Sequence, residues 1–266
     1  MAWSCLRALG FALLAALTIG SGPARAETEV DLALVIAVDV SYSMDVDEQT
    51  LQREGFIQAF RSALVHDSIR KGLTGRIAVA YMEWAGAWDQ KVILPWTVLE
   101  GPESANAFAE RLAEAPTRRA QRTSISGAID FGVKLLAESG FAALRQVIDV
   151  SGDGPNNQGR PVTVARDEAL ARGITINGLP IMLKTPGYFD IPDLDLYFRD
   201  CVIGGQGAFM VPAREREQFR EAVKTKIILE VAGRTPPEPL IQPAQALSGR
   251  ANCFAGELQW RDRMGN

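Results

Sequence analysis

The chain has 266 residues, 47% of them hydrophobic and 23% charged, with a formal net charge of −4, one histidine and three cysteines. That is enough apolar material for a sizeable core, and no block of Lys and Arg suits nucleic acid or an anionic membrane surface. The single histidine, His66, excludes a zinc site built from several histidines and would have to serve any Ser-His-Asp triad.

Residues 1–26 read as a signal peptide. Arg7 gives a positive start, "ALGFALLAALTIG" an apolar core, and "PARA" the small-x-small pattern of a cleavage site. The core is short for a membrane span, and no later segment approaches the roughly 20 apolar residues one needs. No stable membrane insertion is expected, and the mature chain is expected to begin near Glu27 and to work in the periplasm or outside the cell. Cys5 lacks a Leu-x-Gly-Cys context, so no lipid anchor is expected. Taking Arg7 and Arg25 from the 28 basic residues leaves 26 against 32 acidic ones. Cys201 and Cys253 survive processing, and in an oxidising compartment a disulfide between them is expected.

"DLALVIAV" is a continuous apolar, β-branched run that suits a strand covered on both faces. A helix is predicted from about Asp47 to Val65, with His66 a surface or capping residue beyond its apolar face of Phe56, Ile57, Phe60 and Leu64. "GRIAVAYMEW" and "QKVILPWTVL" read as an antiparallel hairpin closed by "AGAWD". A helix over 104–115 leads to the polar loop "PTRRAQRTS" and a helix marked by Ile125, Ile129, Val133 and Leu136. The strand "RQVIDVSG" runs into the loop "DGPNNQGRP", then a helix over 162–172 and the strand "GITINGLPIM". After an acidic insert, "LKTPGYFDIPDLDLYFRDC", come a short last strand "GAFMV" and a helix over 214–229. Asp190, Asp193, Asp195 and Asp200 of the insert are expected in a solvated loop and helix start. The tail over 233–266 is too rich in proline for a helix or central strand and is expected along the surface, held by Cys253.

Alternating strands and helices predict an α/β domain over 27–232: a doubly wound, mostly parallel sheet with helices on both faces. Ligands of such sheets sit at the carboxyl ends of strands. Three polar loops are candidates for that edge: "DVSYS" after the first strand, "QRTSIS" before a helix, and "DGPNN" after "RQVIDVSG".

Asp39, Ser41 and Ser43 alternate along chain leaving a strand, so an extended backbone aims all three the same way. A carboxylate and two hydroxyls are hard oxygen ligands, suited to magnesium, manganese or calcium rather than copper or zinc. Thr123 adds a hydroxyl and Asp153 a second carboxylate, a set that suits octahedral Mg²⁺ first, with Mn²⁺ or Ca²⁺ as alternatives. Two carboxylates neutralise a divalent ion, which can then still accept one anionic oxygen from a partner. Taken alone, Asp-x-Ser-x-Ser also describes a turn and a helix N-cap.

Together, "DVSYS", the Thr of "RTSIS" and the Asp of "SGDG" resemble the metal-ion-dependent adhesion site (MIDAS) of von Willebrand factor type A domains. The similarity covers about Val30 to Ala232. It implies six strands with one antiparallel edge strand. It also implies direct metal contact by Ser41, Ser43 and either Thr123 or Asp153, with Asp39 held partly through water. The exported chain with its cysteine-tied tail further resembles an uncharacterised bacterial branch of these domains. "DVSYSMDVD" is also similar to an integrin β-subunit segment whose last acids serve a second metal, but Val46 replaces one of them, and Asp45 and Asp47 suit the first helical turn.

Three functions follow as expectations. The first is an exported binding module, not an enzyme, that docks an exposed Asp or Glu of a protein partner through the metal. The second is a phosphoryl-transfer hydrolase with Asp39 as nucleophile, although Ser41 stands where such enzymes place a second acid. The third is an assembly protein with a purely stabilising metal, in which Trp84, Trp88 and Trp96 form a contact surface or, more simply, pack in the core. The loop "GPNNQGR" is expected either to line the metal rim or to serve as an ordinary turn.

Overall fold

A computed structural model describes residues 27–185, 187, 190–233 and 249–264. The segment read as a signal peptide and the proline-rich stretch over 234–248 lie outside the described residues. The architecture is a five-stranded mixed sheet between two helical layers, with a separate two-stranded sheet at one end.

The apolar run forms β2 (Leu32–Asp39), buried at every position. Its alternation splits the core. Leu32, Leu34, Ile36 and Val38 pack with Phe56, Phe60, Phe219 and Val223 on one face, while Ala33, Val35 and Ala37 pack with Ile125, Ala128 and Ile148 on the other. The first layer holds α1 (Val46–Arg61), α2 (Ala63–Arg70), α3 (Pro102–Glu114) and α7 (Arg216–Ala232). The second holds α4 (Ile125–Ala137) and α5 (Val162–Ala171), followed later by α6 (Leu194–Tyr197) and a π-helical turn, Phe198–Val202.

β2 is central, with β3 (Ile77–Trp84) and β6 (Gln146–Gly152) parallel on its two sides. β4 (Gln90–Leu99) closes one edge antiparallel to β3, as the hairpin predicts, and β7 (Thr175–Pro180) lies parallel beside β6. The strand order β4-β3-β2-β6-β7 therefore reverses at β2, and the crevice at its carboxyl end is where such sheets hold ligands. The small sheet, which the sequence did not signal, pairs β1 (Thr28–Val30) with β5 (Phe141–Ala143).

The expected sixth strand is not formed. "GAFMV" and the two residues after it lie beside β7 but make only isolated bridges, Gly178 to Met210 and Ile181 to Ala213. Between them Pro180 has no N–H to donate, so its carbonyl can accept from Ala213 at 2.9 Å while the opposite half of the ladder is missing. The predicted first helix is also broken, at Ser62, which ends α1 and starts α2. His66 is buried within α2, not at the surface, and its Nε2 lies 2.7 Å from the Phe60 carbonyl near the end of α1. Trp84 is fully buried and the Trp96 indole donates to the Leu135 carbonyl at 3.2 Å, so of the three tryptophans only Trp88 is exposed.

The tail departs most from expectation. Ala255–Met264 forms a helix, α8, and Cys201 is bonded to Cys253 just before it. Composition over 233–266 is dominated by the prolines of its first half, which hides the proline-free helical stretch that follows.

Candidate functional site

β2 ends at Asp39, which is fully buried. Its Oδ1 accepts the Ser41 N–H at 2.7 Å, while Oδ2 has no hydrogen-bond partner. Gly152 at the end of β6 makes this placement possible, since a Cβ there would stand 2.9 Å from Asp39 Oδ2. Burial, reinforced by the nearby Asp153 carboxylate, holds the Asp39 carboxyl well above its ordinary range, against the pull of the Ser41 N–H.

The two serines and the second aspartate form a chain of short contacts. The hydroxyls of Ser41 and Ser43 lie 2.6 Å apart, and Ser43 Oγ donates to Asp153 Oδ1 at 2.6 Å. Asp153 is also held above its ordinary range, by burial, with Lys184 and the Ser43 hydroxyl opposing.

Thr123 arrives on the loop after α3. That loop is laid along the Asp-x-Ser-x-Ser segment by the Ala120 N–H on the Val40 carbonyl (3.0 Å) and by Arg119, which donates to the carbonyls of Tyr42 (2.9 Å) and Met44 (2.6 Å). Asn157 then clips Thr123 from the other side, accepting its N–H at 3.0 Å and donating to its carbonyl at 2.8 Å. "GPNNQGR" thus braces the Thr123 loop, and Gly154, Pro155 and Asn157 also line the rim. Ser124 caps α4 through the Gly127 N–H.

The structure therefore brings all five predicted residues to one edge. Asp39, Ser41, Ser43 and Asp153 share a hydrogen-bonded or electrostatic network, and Thr123 joins Ser41 and Ser43 in lining a cleft of about 520 Å³. Asp45 and Asp47 do not join them. Asp45 is the N-cap of α1 in a full capping box, accepting from Glu48 N at 2.7 Å while Glu48 Oε2 accepts from Asp45 N at 2.9 Å. Asp195 is buried against Arg214 at 2.6 Å rather than solvated, and Asp190 lines the cleft with its Oδ2 on the Gly187 N–H.

Two participants carry no sequence signal. Lys184, from the insert, donates to Asp153 Oδ2 at 3.0 Å, pairs with Glu48 Oε2 at 2.6 Å and donates to the Ser43 carbonyl. The C-terminal helix α8 supplies Gln259 and Trp260 to the cleft. Nothing in the spacing of Lys184 or Trp260 distinguishes them from solvated residues; only the fold places them here.

Among the described residues, no group of three or more His, Cys, Asp and Glu side chains could hold a metal ion, so an ion here depends on hydroxyl ligands. The donor set meets that need: every candidate atom is a hard oxygen, and one buried carboxylate oxygen lacks any partner. The charges also suit a divalent cation, because Lys184 offsets Glu48 and leaves Asp39 and Asp153 to balance the ion.

Fold and edge geometry together define the class. Solved structures with this fold include a von Willebrand factor type A protein from Catenulispora acidiphila, with TM-score 0.54 and 14% identity over 76% of this chain and 43% of that one. Proximal thread matrix protein 1 of the mussel byssus, in a structure with zinc in its MIDAS motif, gives TM-score 0.56 and 14% identity over 77% of this chain and 49% of that one. The pilus adhesin SpaC of Lactobacillus rhamnosus GG gives 0.55 and 11% identity, over 75% and 31%. This chain spans less than half the length of each. No curated protein matches it. Residues 29–235 match the family described as "Protein of unknown function (DUF1194)", and the chain belongs to that family, with a von Willebrand factor type A fold. No helix among the described residues is long and apolar enough to cross a membrane.

Proposed function

We propose that this chain is an exported binding module that captures an exposed Asp or Glu of a protein partner through a divalent cation, Mg²⁺ before Mn²⁺ or Ca²⁺. Asp39, Ser41, Ser43, Thr123 and Asp153 would hold the ion, and the ion would supply a coordination position for a carboxylate oxygen. The observation that carries this reading is the unpartnered, buried Oδ2 of Asp39 behind a line of hydroxyls that opens on a cleft. An enzyme is not part of the reading. Ser41 stands where an aspartate-dependent phosphoryl transferase needs its second acid, and a hydroxyl cannot carry that proton at neutral pH. The mussel matrix protein and the pilus adhesin, both sharing the fold, lend support to adhesion or assembly as the setting.

Calorimetric titration of the purified chain with Mg²⁺ should give one site, lost in Asp39→Ala and Thr123→Ala with the far-UV spectrum retained. Capture of the native partner should require Mg²⁺ and fail in EDTA. Partner affinity that EDTA leaves unchanged would end the proposal.

A further inference from the structure

One wall of the cleft is made by α8, whose presence needs explaining. The helix is polar and, among the residues whose burial is described, buries only Gly256 fully, so apolar packing does not hold it there. Three other contacts do. The Cys201–Cys253 disulfide fixes its start to the buried π-helical turn. Gly256 lies against the "GPNN" loop so closely that a Cβ would meet the Asn156 carbonyl oxygen at 2.2 Å, and Glu257 Oε1 accepts from Asn156 Nδ2 at 2.8 Å. Finally, the Arg122 guanidinium sits 3.4 Å from the centroid of the Trp260 ring, with Arg263 at 5.0 Å from the same centroid.

Arg122 immediately precedes Thr123 and has φ 74°, the left-handed region that side chains other than glycine, asparagine and aspartate rarely adopt. Among the described residues it has no carboxylate partner; its neighbours are an indole and a second guanidinium. The strained backbone thus delivers an unneutralised cation to the same cleft that Ser41, Ser43 and Thr123 line. Among the described residues, the one acid lining that cleft, Asp190, is turned to the Gly187 N–H.

We propose that α8 is a ligand-reading wall, and that the occupant of the cleft is an acidic peptide segment with two carboxylates, one for the cation site and one for Arg122 on Trp260. The inference rests on the docking function proposed above and specifies its ligand. A lone surface acid would satisfy the cation site only. A segment with a second acid would also form a charge-assisted pair with a guanidinium already held in place by stacking, so little side-chain freedom would be lost on binding.

The test uses the whole chain and two end-blocked Gly/Ser peptides, one carrying a single glutamate and one carrying Glu-Gly-Glu, each titrated in Mg²⁺ and in EDTA. The wild type should bind the two-acid peptide about tenfold more tightly than the other in Mg²⁺. Arg122→Gln should erase that preference while leaving the affinity for Mg²⁺ and for the single-acid peptide unchanged. Cys253→Ser, which frees the helix, should do the same. Equal affinity of the wild type for both peptides would overturn the proposal. So would Arg122→Gln with the preference intact, or with both peptides weakened alike, since the latter makes Arg122 a support for the Thr123 loop alone. If neither peptide responds to Mg²⁺, the docking function itself fails, and the wall with it.

Discussion

Two places in this molecule hold a lysine between two carboxylates, and they have opposite ends. In the core, Lys226 of α7 lies 2.8 Å from Asp149 of β6 and 2.7 Å from Glu230, with all three side chains 1% exposed. Asn177 completes the group, donating to both Glu230 oxygens at 2.9 and 2.8 Å and accepting the Phe209 N–H at 2.8 Å. At the sheet edge, Lys184 bridges Glu48 and Asp153 while itself 34% exposed, and behind it Asp39 Oδ2 goes unpartnered. The core group is sealed from solvent and ties α7 to the sheet, although Asp149 Oδ2 has no hydrogen-bond partner. The edge group is left one cation short, on the side where a cleft opens. A charge cluster thus reads as architecture when it is sealed inside the core, and as a binding site when its unpartnered oxygen stands behind hydroxyls that line a cleft.

The largest difference should appear on removing each lysine. Lys226→Met strands two carboxylates in the interior and should cost about 3–5 kcal/mol near pH 7.5, with the loss shrinking toward pH 5 as a carboxyl takes up a proton. Lys184→Met should cost less, because Glu48 keeps its capping-box contact, Asp153 keeps Ser43, and the lysine itself is 34% exposed. Urea denaturation of both variants measures the contrast; equal losses would mean that the edge lysine is as structural as the core one. Lys184→Met should also raise Mg²⁺ affinity, by about tenfold, because one positive charge leaves the neighbourhood of the ion.

A smaller effect separates holding an ion from holding the fold. Asp39→Asn keeps the shape of the side chain but removes a buried charge, so the Mg²⁺-free chain should keep its stability within about 1 kcal/mol. The wild type in Mg²⁺ at a hundred times its dissociation constant should gain about 2.7 kcal/mol, and the variant nothing. Thermal melts with and without Mg²⁺ read both numbers. A metal-induced gain that survives in Asp39→Asn would place the ion elsewhere.

How much of this was legible in the sequence follows from how local each signal is. The buried alternation of β2, the hairpin, and the carboxylate and hydroxyls of Asp39, Ser41 and Ser43 are all set by neighbours along the chain, and so are the helix-start roles of Asp45 and Asp47. Thr123 and Asp153 were readable because each leaves a recognisable strand or precedes a recognisable helix. Lys184 was not, since its partners Glu48 and Asp153 are brought to it only by the fold, and a lysine in a polar insert looks solvated. The sixth strand failed for a reason present in the sequence: Pro180 removes the donor that the ladder needs. Helix α8 was hidden because its position depends on a disulfide and a guanidinium stacked on Trp260, not on an apolar face.

The most gradual effect compares the two regions through pH. Burial, with the Lys226 charge opposing it, pushes the Asp149 carboxyl up to about 6 from an ordinary 3.8. The folded chain therefore keeps a proton that the unfolded chain has already released. Between those two values the folded state binds more protons, so stability falls as pH rises through the window and levels off above about 6. The total for one such group is at most about 3 kcal/mol. Asp39 and Asp153, also held above their ordinary range by burial, tilt the Mg²⁺-free chain the same way. A bound Mg²⁺ prefers both of them ionised, so at the edge the slope should turn over while the core keeps its own. Denaturation between pH 4.5 and 7.5 should thus show a steeper fall without Mg²⁺ than with it. Asp149→Asn should flatten both curves, while Asp39→Asn should make the two coincide, because the proton held by Asp149 belongs to the fold and the one held by Asp39 to a place kept for a metal ion.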